Sequence, residues 1–191
     1  DTGYIGSQKC HCLKQAIYDM VYSQSNLTDI LQKENFSTFS FDYYSKTDIN
    51  PKTNLSSYDT ARNAYQACLE FTQNFKETPK NILFYGDTGV GKTFLTNCIA
   101  ESLLSQGYSV IYFTAFQLFD ILSKGVFEKD TDAIQANQNI FDCDLLVIDD
   151  LGTELSNSFT VSQLFLCINE RMLHGKSTII STNLSLGQIS D

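Results

Sequence analysis

Residues 86–93 read Gly86-Asp87-Thr88-Gly89-Val90-Gly91-Lys92-Thr93 and satisfy G-x-x-x-x-G-K-[ST] at every fixed position. The run sits between Ile82 to Tyr85, whose apolar side chains predict a strand, and the stripe Leu95, Cys98, Ile99 and Leu103, which predicts a helix ended by Gly107. A glycine-rich turn between strand and helix can curl with its backbone N–H groups inward, and the helix N-terminus adds its dipole. Gly86, Gly89 and Gly91 give the loop that freedom, Lys92 brings a charge to β and γ phosphates, and Thr93 offers a hydroxyl to Mg²⁺. Asp87, Thr88 and Val90 complete the cradle, and Phe94 follows it into the helix. The expected ligand is an ATP–magnesium complex.

The rest of the second half fits the sheet that such a loop requires. Val110 to Phe113, Leu145 to Ile148 and Thr178 to Ser181 are compact apolar or β-branched runs, suited to strands buried on both faces. Between them, Phe116 to Leu122 predict a helix ended near Gly125, and Val161, Leu164, Phe165, Ile168 and Met172 predict another before Gly175. Strands alternating with helices specify an α/β fold, a parallel sheet sandwiched by helices, of the P-loop NTPase class.

The first half is more polar and helical. Leu13, Ile17, Met20 and Val21 suggest one short helix, and Leu27, Ile30 and Leu31, after Ser25 and Asn26 as caps, suggest a second. Residues 35–54 carry many aromatic and polar side chains without a clean period and read as an ordered linker ended by Pro51. Phe36, Phe39, Phe41, Tyr43 and Tyr44 can pack beside an adenine or dock the linker, with plain core packing the simpler reading. Ser56 with Asp59 resembles a capping box that opens a helix bearing Ala61, Tyr65, Cys68, Phe71 and Phe75 on one face. Two regions are expected: 1–54, a small helical region with linker, and 55–191, the nucleotide-binding core.

Asp149 and Asp150 end the strand that begins at Leu145. In an open parallel sheet, ligands collect beyond the carboxyl ends of the strands, so both carboxylates are expected to face the phosphate loop. Asp149 is placed to hold Mg²⁺, directly or through water, and Asp150 to orient or deprotonate the attacking water, with Glu154 as the alternative base. Asn183, after Thr182 at the end of the last strand, can reach the γ-phosphate or its water. Thr114 reads as a helix cap.

Composition narrows the partners. With 13 basic against 22 acidic side chains and a net charge of -9, the surface as a whole repels nucleic acid, so any such contact must be local. Lys124 and Lys129, on either side of Gly125, are weak candidates for single-stranded DNA. No run approaches the roughly 18 apolar residues needed to span a bilayer, so the expectation is a soluble, cytoplasmic protein without membrane partners. Cys68, Cys98, Cys143 and Cys167 lie in apolar stretches and read as reduced, small hydrophobes.

Three segments together, GDTGVGKT, LLVIDDLGTE at 145–154 and IISTNLS at 179–185, resemble the DnaC/DnaI-type replicative helicase loaders and their relatives, the IstB-type transposition helper ATPases. The resemblance implies an AAA+ core in which Lys92 and Thr93 belong to Walker A, Asp149 and Asp150 to Walker B, and Asn183 to sensor 1. It also implies ATP hydrolysis, ATP-dependent self-association, and a replicative DNA helicase and single-stranded DNA as partners. The family's arginine finger and sensor 2 lie beyond sensor 1, so 55–191 is expected to be a core cut short of them, and a chain opening on Asp1 to be part of something longer.

Cys10 and Cys12, flanking His11, form half of a metal site: two thiolates where Zn²⁺ takes four ligands, or else two free thiols. Loader-like proteins often carry a cysteine cluster before the ATPase core, which implies the zinc reading. A small-molecule P-loop kinase is a weaker alternative, since such enzymes clamp phosphates with lid arginines and this chain holds only Arg62 and Arg171. A GTPase is a weaker alternative still, since the guanine-reading N-K-x-D pattern is absent. A module that binds nucleotide only as a switch remains the third alternative.

Overall fold

The computed structural model describes residues 4–5, 8–9, 27–127, 131–152 and 158–190. In chain order these form β1 (Tyr4–Ile5), β2 (Gln8–Lys9), α1 (Leu27–Lys33), a 3₁₀ turn (Phe41–Tyr43), β3 (Ile49–Asn50), β4 (Leu55–Ser56) and α2 (Ser57–Gln73). The second half follows as β5 (Ile82–Tyr85), α3 (Lys92–Ser105), β6 (Val110–Thr114), α4 (Ala115–Phe127), α5 (Thr131–Asp142), β7 (Leu145–Leu151), α6 (Ser158–Leu173), β8 (Ser177–Thr182) and α7 (Leu186–Ser190).

The last four strands make a parallel sheet in the order β5-β8-β7-β6. Alternation along β7 divides the core between the faces. Leu145 and Val147 join Val110, Ile179, Leu95, Ile99, Leu103 and the α2 side chains Cys68 and Phe71 on one face. Leu146 and Ile148 join Ile111, Leu118, Leu122, Ile140 and Cys167 on the other, under α4, α5 and α6. β7 is buried on both faces because helices cover both, which is why Leu145 to Ile148 read as a continuous apolar run, whereas β5 lies at the sheet edge with Leu83 and Tyr85 exposed.

Three local features differ from the sequence expectations. The helix expected to stop near Gly125 runs on to Phe127, and the stretch before β7 holds a further helix, α5. Only a glycine interior to the helix had suggested a stop there, at a cost of about 0.5–1 kcal/mol that packing absorbs. The strand expected over Leu145 to Ile148 extends through both acids to Leu151, with a register shift against β8 between Ile148 and Leu151.

The caps follow their sequence signals. Ser56 Oγ accepts from the Asp59 amide at 3.0 Å, opening α2, and Thr114 Oγ1 accepts from the Gln117 amide at 3.3 Å, opening α4. The expected helix over residues 13–21 lies outside the described residues. Among the described residues, no helix is long and apolar enough to cross a membrane. Burial pushes the Cys68 and Cys98 thiols up to about 12, so both stay protonated and serve as core.

The amino ends of the strands are fastened by polar side chains, away from the phosphate loop. Arg171 is wholly buried and donates to the carbonyl oxygens of Ile140 (2.6 Å), Cys143 (3.1 Å) and Ser177 (2.6 Å) and to Thr178 Oγ1 (3.0 Å). It ties α5, the entry to β7 and the start of β8 together.

Candidate nucleotide site

The site lies at the carboxyl ends of the neighbouring strands β5, β8 and β7. Gly91 caps α3 in a left-handed conformation (φ 94°). A side chain there is excluded twice over, since a Cβ would also fall on the Tyr44 hydroxyl. That hydroxyl donates to the Val90 carbonyl at 3.1 Å, so the linker braces the loop from outside.

Lys92 opens α3 and is buried. Its ammonium donates to the carbonyl oxygens of Gly86 (2.9 Å) and Asp87 (2.8 Å) and to Asn183 Oδ1 (2.7 Å). Two residues ninety-one positions apart thus meet at one ammonium, as the pairing of β5 with β8 dictates.

Thr93 and Asp149 form the second pair, with Thr93 Oγ1 3.4 Å from Asp149 Oδ1. Asp149 is 5% exposed, on the α3 face of the sheet. Its Oδ1 accepts from the Ser181 hydroxyl on β8, and its Oδ2 accepts from the Tyr112 hydroxyl on β6 at 2.6 Å. Burial, then the neighbouring Asp149 charge, push the Tyr112 phenol pKa up, so it remains a donor.

Asp150 does not share that position. It sits in the register shift with φ 56° and is exposed, while its amide donates to Ser181 Oγ at 3.1 Å. One serine hydroxyl therefore donates to the first acid and accepts from the backbone of the second. Downstream, Gly152 (φ 96°) passes so close to Leu184 that a Cβ would collide with it.

Of the expected site residues, Lys92 and Asn183 meet, and Thr93 and Asp149 meet. Phe94 packs edge-on to Phe39 (centroids 5.4 Å apart) rather than lying free in the loop. Cys10, His11, Cys12, Lys129 and Glu154 lie outside the described residues. Lys124 is held by Asp120 at 2.6 Å. The sequence reading missed Ser181 and Tyr112, and it named Tyr44 as a docking aromatic without its hydrogen bond to the loop. The one available signal was a pair of hydroxyl residues, Ser181-Thr182, following Ile179-Ile180 at the end of the strand.

The donors suit a hard cation: a hydroxyl and a carboxylate oxygen side by side are the ligands Mg²⁺ takes when phosphates and water complete its shell. Thr93 and Asp149 would hold it.

Comparison with known proteins matches the model of the family described as IstB-like ATP binding protein over residues 23–191. Among curated relatives, the chain is 28% identical over 142 residues to the chromosomal replication initiator protein DnaA of Campylobacter jejuni (serotype O:6, strain 81116 / NCTC 11828), covering 72% of this chain and 32% of that protein. It is 22% identical over 167 residues to the replicative helicase loader DnaC of Escherichia coli K12, covering 84% of this chain and 68% of that protein. The chain thus spans about a third of the DnaA relative. Among solved structures, the DnaC helicase loader superposes with a TM-score of 0.65 at 24% identity, over 84% of this chain and 85% of that one. The α/β architecture is the AAA+ fold of these proteins.

Proposed function

Because the chain belongs to the IstB-like ATP-binding family, we propose that it hydrolyses ATP as an AAA+ ATPase and uses the cycle to load a replicative ring helicase onto single-stranded DNA. The observation that carries the hydrolytic part is the meeting of Lys92 with Asn183 and of Thr93 with Asp149 at one end of the sheet. The loading part rests on the likeness to DnaC, a replicative helicase loader by name.

In this reading the loop amides and Lys92 bind the β and γ phosphates, and Thr93 with Asp149 holds Mg²⁺. Mg²⁺, when bound, neutralises charge on the phosphates. Asn183 aligns the γ-phosphate or the attacking water, and Asp150, exposed at the strand tip, takes the water's proton. Subunits assemble with ATP, and an arginine from a neighbouring subunit completes the charge stabilisation. DNA contact is local, as the net charge of -9 requires. A transposition helper ATPase is the second reading, favoured by the IstB-like description of the family itself.

Asp150→Asn tests the chemistry. ATP should still bind, while hydrolysis by the assembled protein falls about 10²- to 10⁴-fold, the usual worth of a general base. If Asp150→Asn turns over normally and Glu154→Gln does not, the base is Glu154. Loading of a hexameric helicase onto circular single-stranded DNA tests the role. ATP-dependent capture of a transposase with no loading would assign the helper role instead.

A further inference from the structure

Three hydroxyls surround the Asp149 carboxylate, and the one from Tyr112 differs from the others. Thr93 and Ser181 both meet Oδ1, whereas Tyr112 alone of the three meets Oδ2, at 2.6 Å. We propose that Tyr112 is a positioning residue that reserves Oδ1 of Asp149 for the metal of the nucleotide complex and thereby sets a preference for Mg²⁺ over the larger Ca²⁺. The inference rests on the reading of Asp149 as an ion ligand.

The placement follows from strand register. β6 pairs with β7 so that Tyr112 lies opposite Val147, and Val147 shares a face with Asp149 two residues on. The phenol therefore reaches along the neighbouring strand to the carboxylate. Its ring packs against the buried cluster of that face, a job phenylalanine does equally well, so packing does not require the hydroxyl.

A single tether at Oδ1 leaves a carboxylate free to pivot. This one is tethered at both oxygens, by Tyr112 at Oδ2 and by Ser181 at Oδ1, and with both tethers in place it does not turn to present both oxygens to an ion. Mg²⁺ tolerates this, because it binds octahedrally at about 2.0–2.1 Å through few protein oxygens and keeps water and phosphate in the remaining positions. Ca²⁺ accepts bidentate carboxylates at about 2.3–2.6 Å, with six to eight ligands, and gains from a carboxylate that is free to turn. Releasing Oδ2 therefore favours the larger ion.

The test is Tyr112→Phe in the 191-residue chain, with binding of fluorescent mant-ATP titrated in EDTA, in Mg²⁺ and in Ca²⁺. Affinity in EDTA should stay within about twofold of wild type, and the Mg²⁺-to-Ca²⁺ affinity ratio should fall by about three- to tenfold, the net scale of one ordinary hydrogen bond. Asp149→Asn is measured alongside. If it abolishes the ion dependence while Tyr112→Phe leaves the ratio unchanged, Asp149 keeps its role and the proposal for Tyr112 is overturned. Should Asp149→Asn leave the Mg²⁺ dependence intact, the ion-ligand reading fails first and takes the proposal with it. An equal loss in EDTA, Mg²⁺ and Ca²⁺ makes Tyr112 a structural residue and also overturns it.

Discussion

Replacing Asn183 with Ala asks whether nucleotide and Asn183 compete for Lys92. An ammonium has three protons, and those of Lys92 already go to Gly86, Asp87 and Asn183 at 2.7–2.9 Å. A phosphate oxygen can enter only by displacing one of these acceptors. Asn183 is the one to leave, because it lies exposed beyond the end of β8 and water can take over its hydrogen bond. A hydrogen bond to a charged group contributes about 1.5–3 kcal/mol, and that exposure reduces it to roughly 1 kcal/mol. Asn183→Ala should therefore tighten ATP binding by about fivefold, since ~1.4 kcal/mol corresponds to tenfold. Single-turnover hydrolysis should fall by about 10²-fold if the amide aligns the γ-phosphate or its water. Calorimetric titration of ATP with Mg²⁺ gives the first quantity, and phosphate release gives the second. An affinity that falls instead of rising would refute the argument and show that Asn183 holds the lysine ready for phosphate.

Two further expectations concern the opposite end of the sheet. Arg171→Met should destabilise the fold by about 3 kcal/mol or more, because it strands the buried carbonyls of Ile140, Cys143 and Ser177, each worth about 1–3 kcal/mol unpaired; a change below about 1 kcal/mol in urea unfolding would contradict this. Asp144 is partly buried, which by itself raises its pKa, but hydrogen bonds from the Ser109 hydroxyl (2.5 Å) and amide (2.9 Å) and from Lys176 (2.9 Å) outweigh burial and hold it below the usual carboxylate range. Its stabilising contribution is full above the ordinary aspartate pKa and is lost as pH falls through the lowered folded-state value, so thermal melting of Asp144→Asn should depend less on pH at the acid end than that of wild type.

The central strand β7 was legible because burial on both faces forces a continuous apolar run, and β5, an edge strand with Leu83 and Tyr85 exposed, was still read over residues 82–85 without error. The phosphate loop was legible because its chemistry fixes residue types at fixed spacing. α5 was not: Thr131–Asp142 is mostly polar, with Ile140 its wholly buried apolar anchor. Tyr112 and Ser181 were hidden for another reason. In sequence each is an ordinary strand residue, and only the strand order places their hydroxyls on one carboxylate thirty-odd positions away. The two acids illustrate the same limit. Both aspartates at the strand tip were expected to face the phosphate loop in different roles, yet sequence alone did not show that the register shift buries Asp149 and leaves Asp150 exposed with a positive φ.

The linker shows what aperiodic aromatic sequence can encode. A helix or strand that packs by one face must repeat, whereas a strap that crosses another element needs only a side chain wherever it meets a gap. Residues 36–44 do this. Phe39 meets Phe41, Tyr44, Tyr65 and Phe94, and Phe36 meets Tyr65 edge-on, so the strap is fixed to α2 and α3 at once. Upstream, Leu31 enters the α3 face of the core, and Glu34 Oε2 accepts from the Asn97 side-chain Nδ2 at 2.6 Å. Phe94 and Asn97 lie in the first two turns of the helix that begins at Lys92. The segment therefore grips the phosphate-binding helix by its first turns and the loop by the Val90 carbonyl. A nucleotide that shifts this loop must also move Tyr44, so residues 27–44 are mechanically part of the nucleotide site even though none of their side chains carries a recognisable motif.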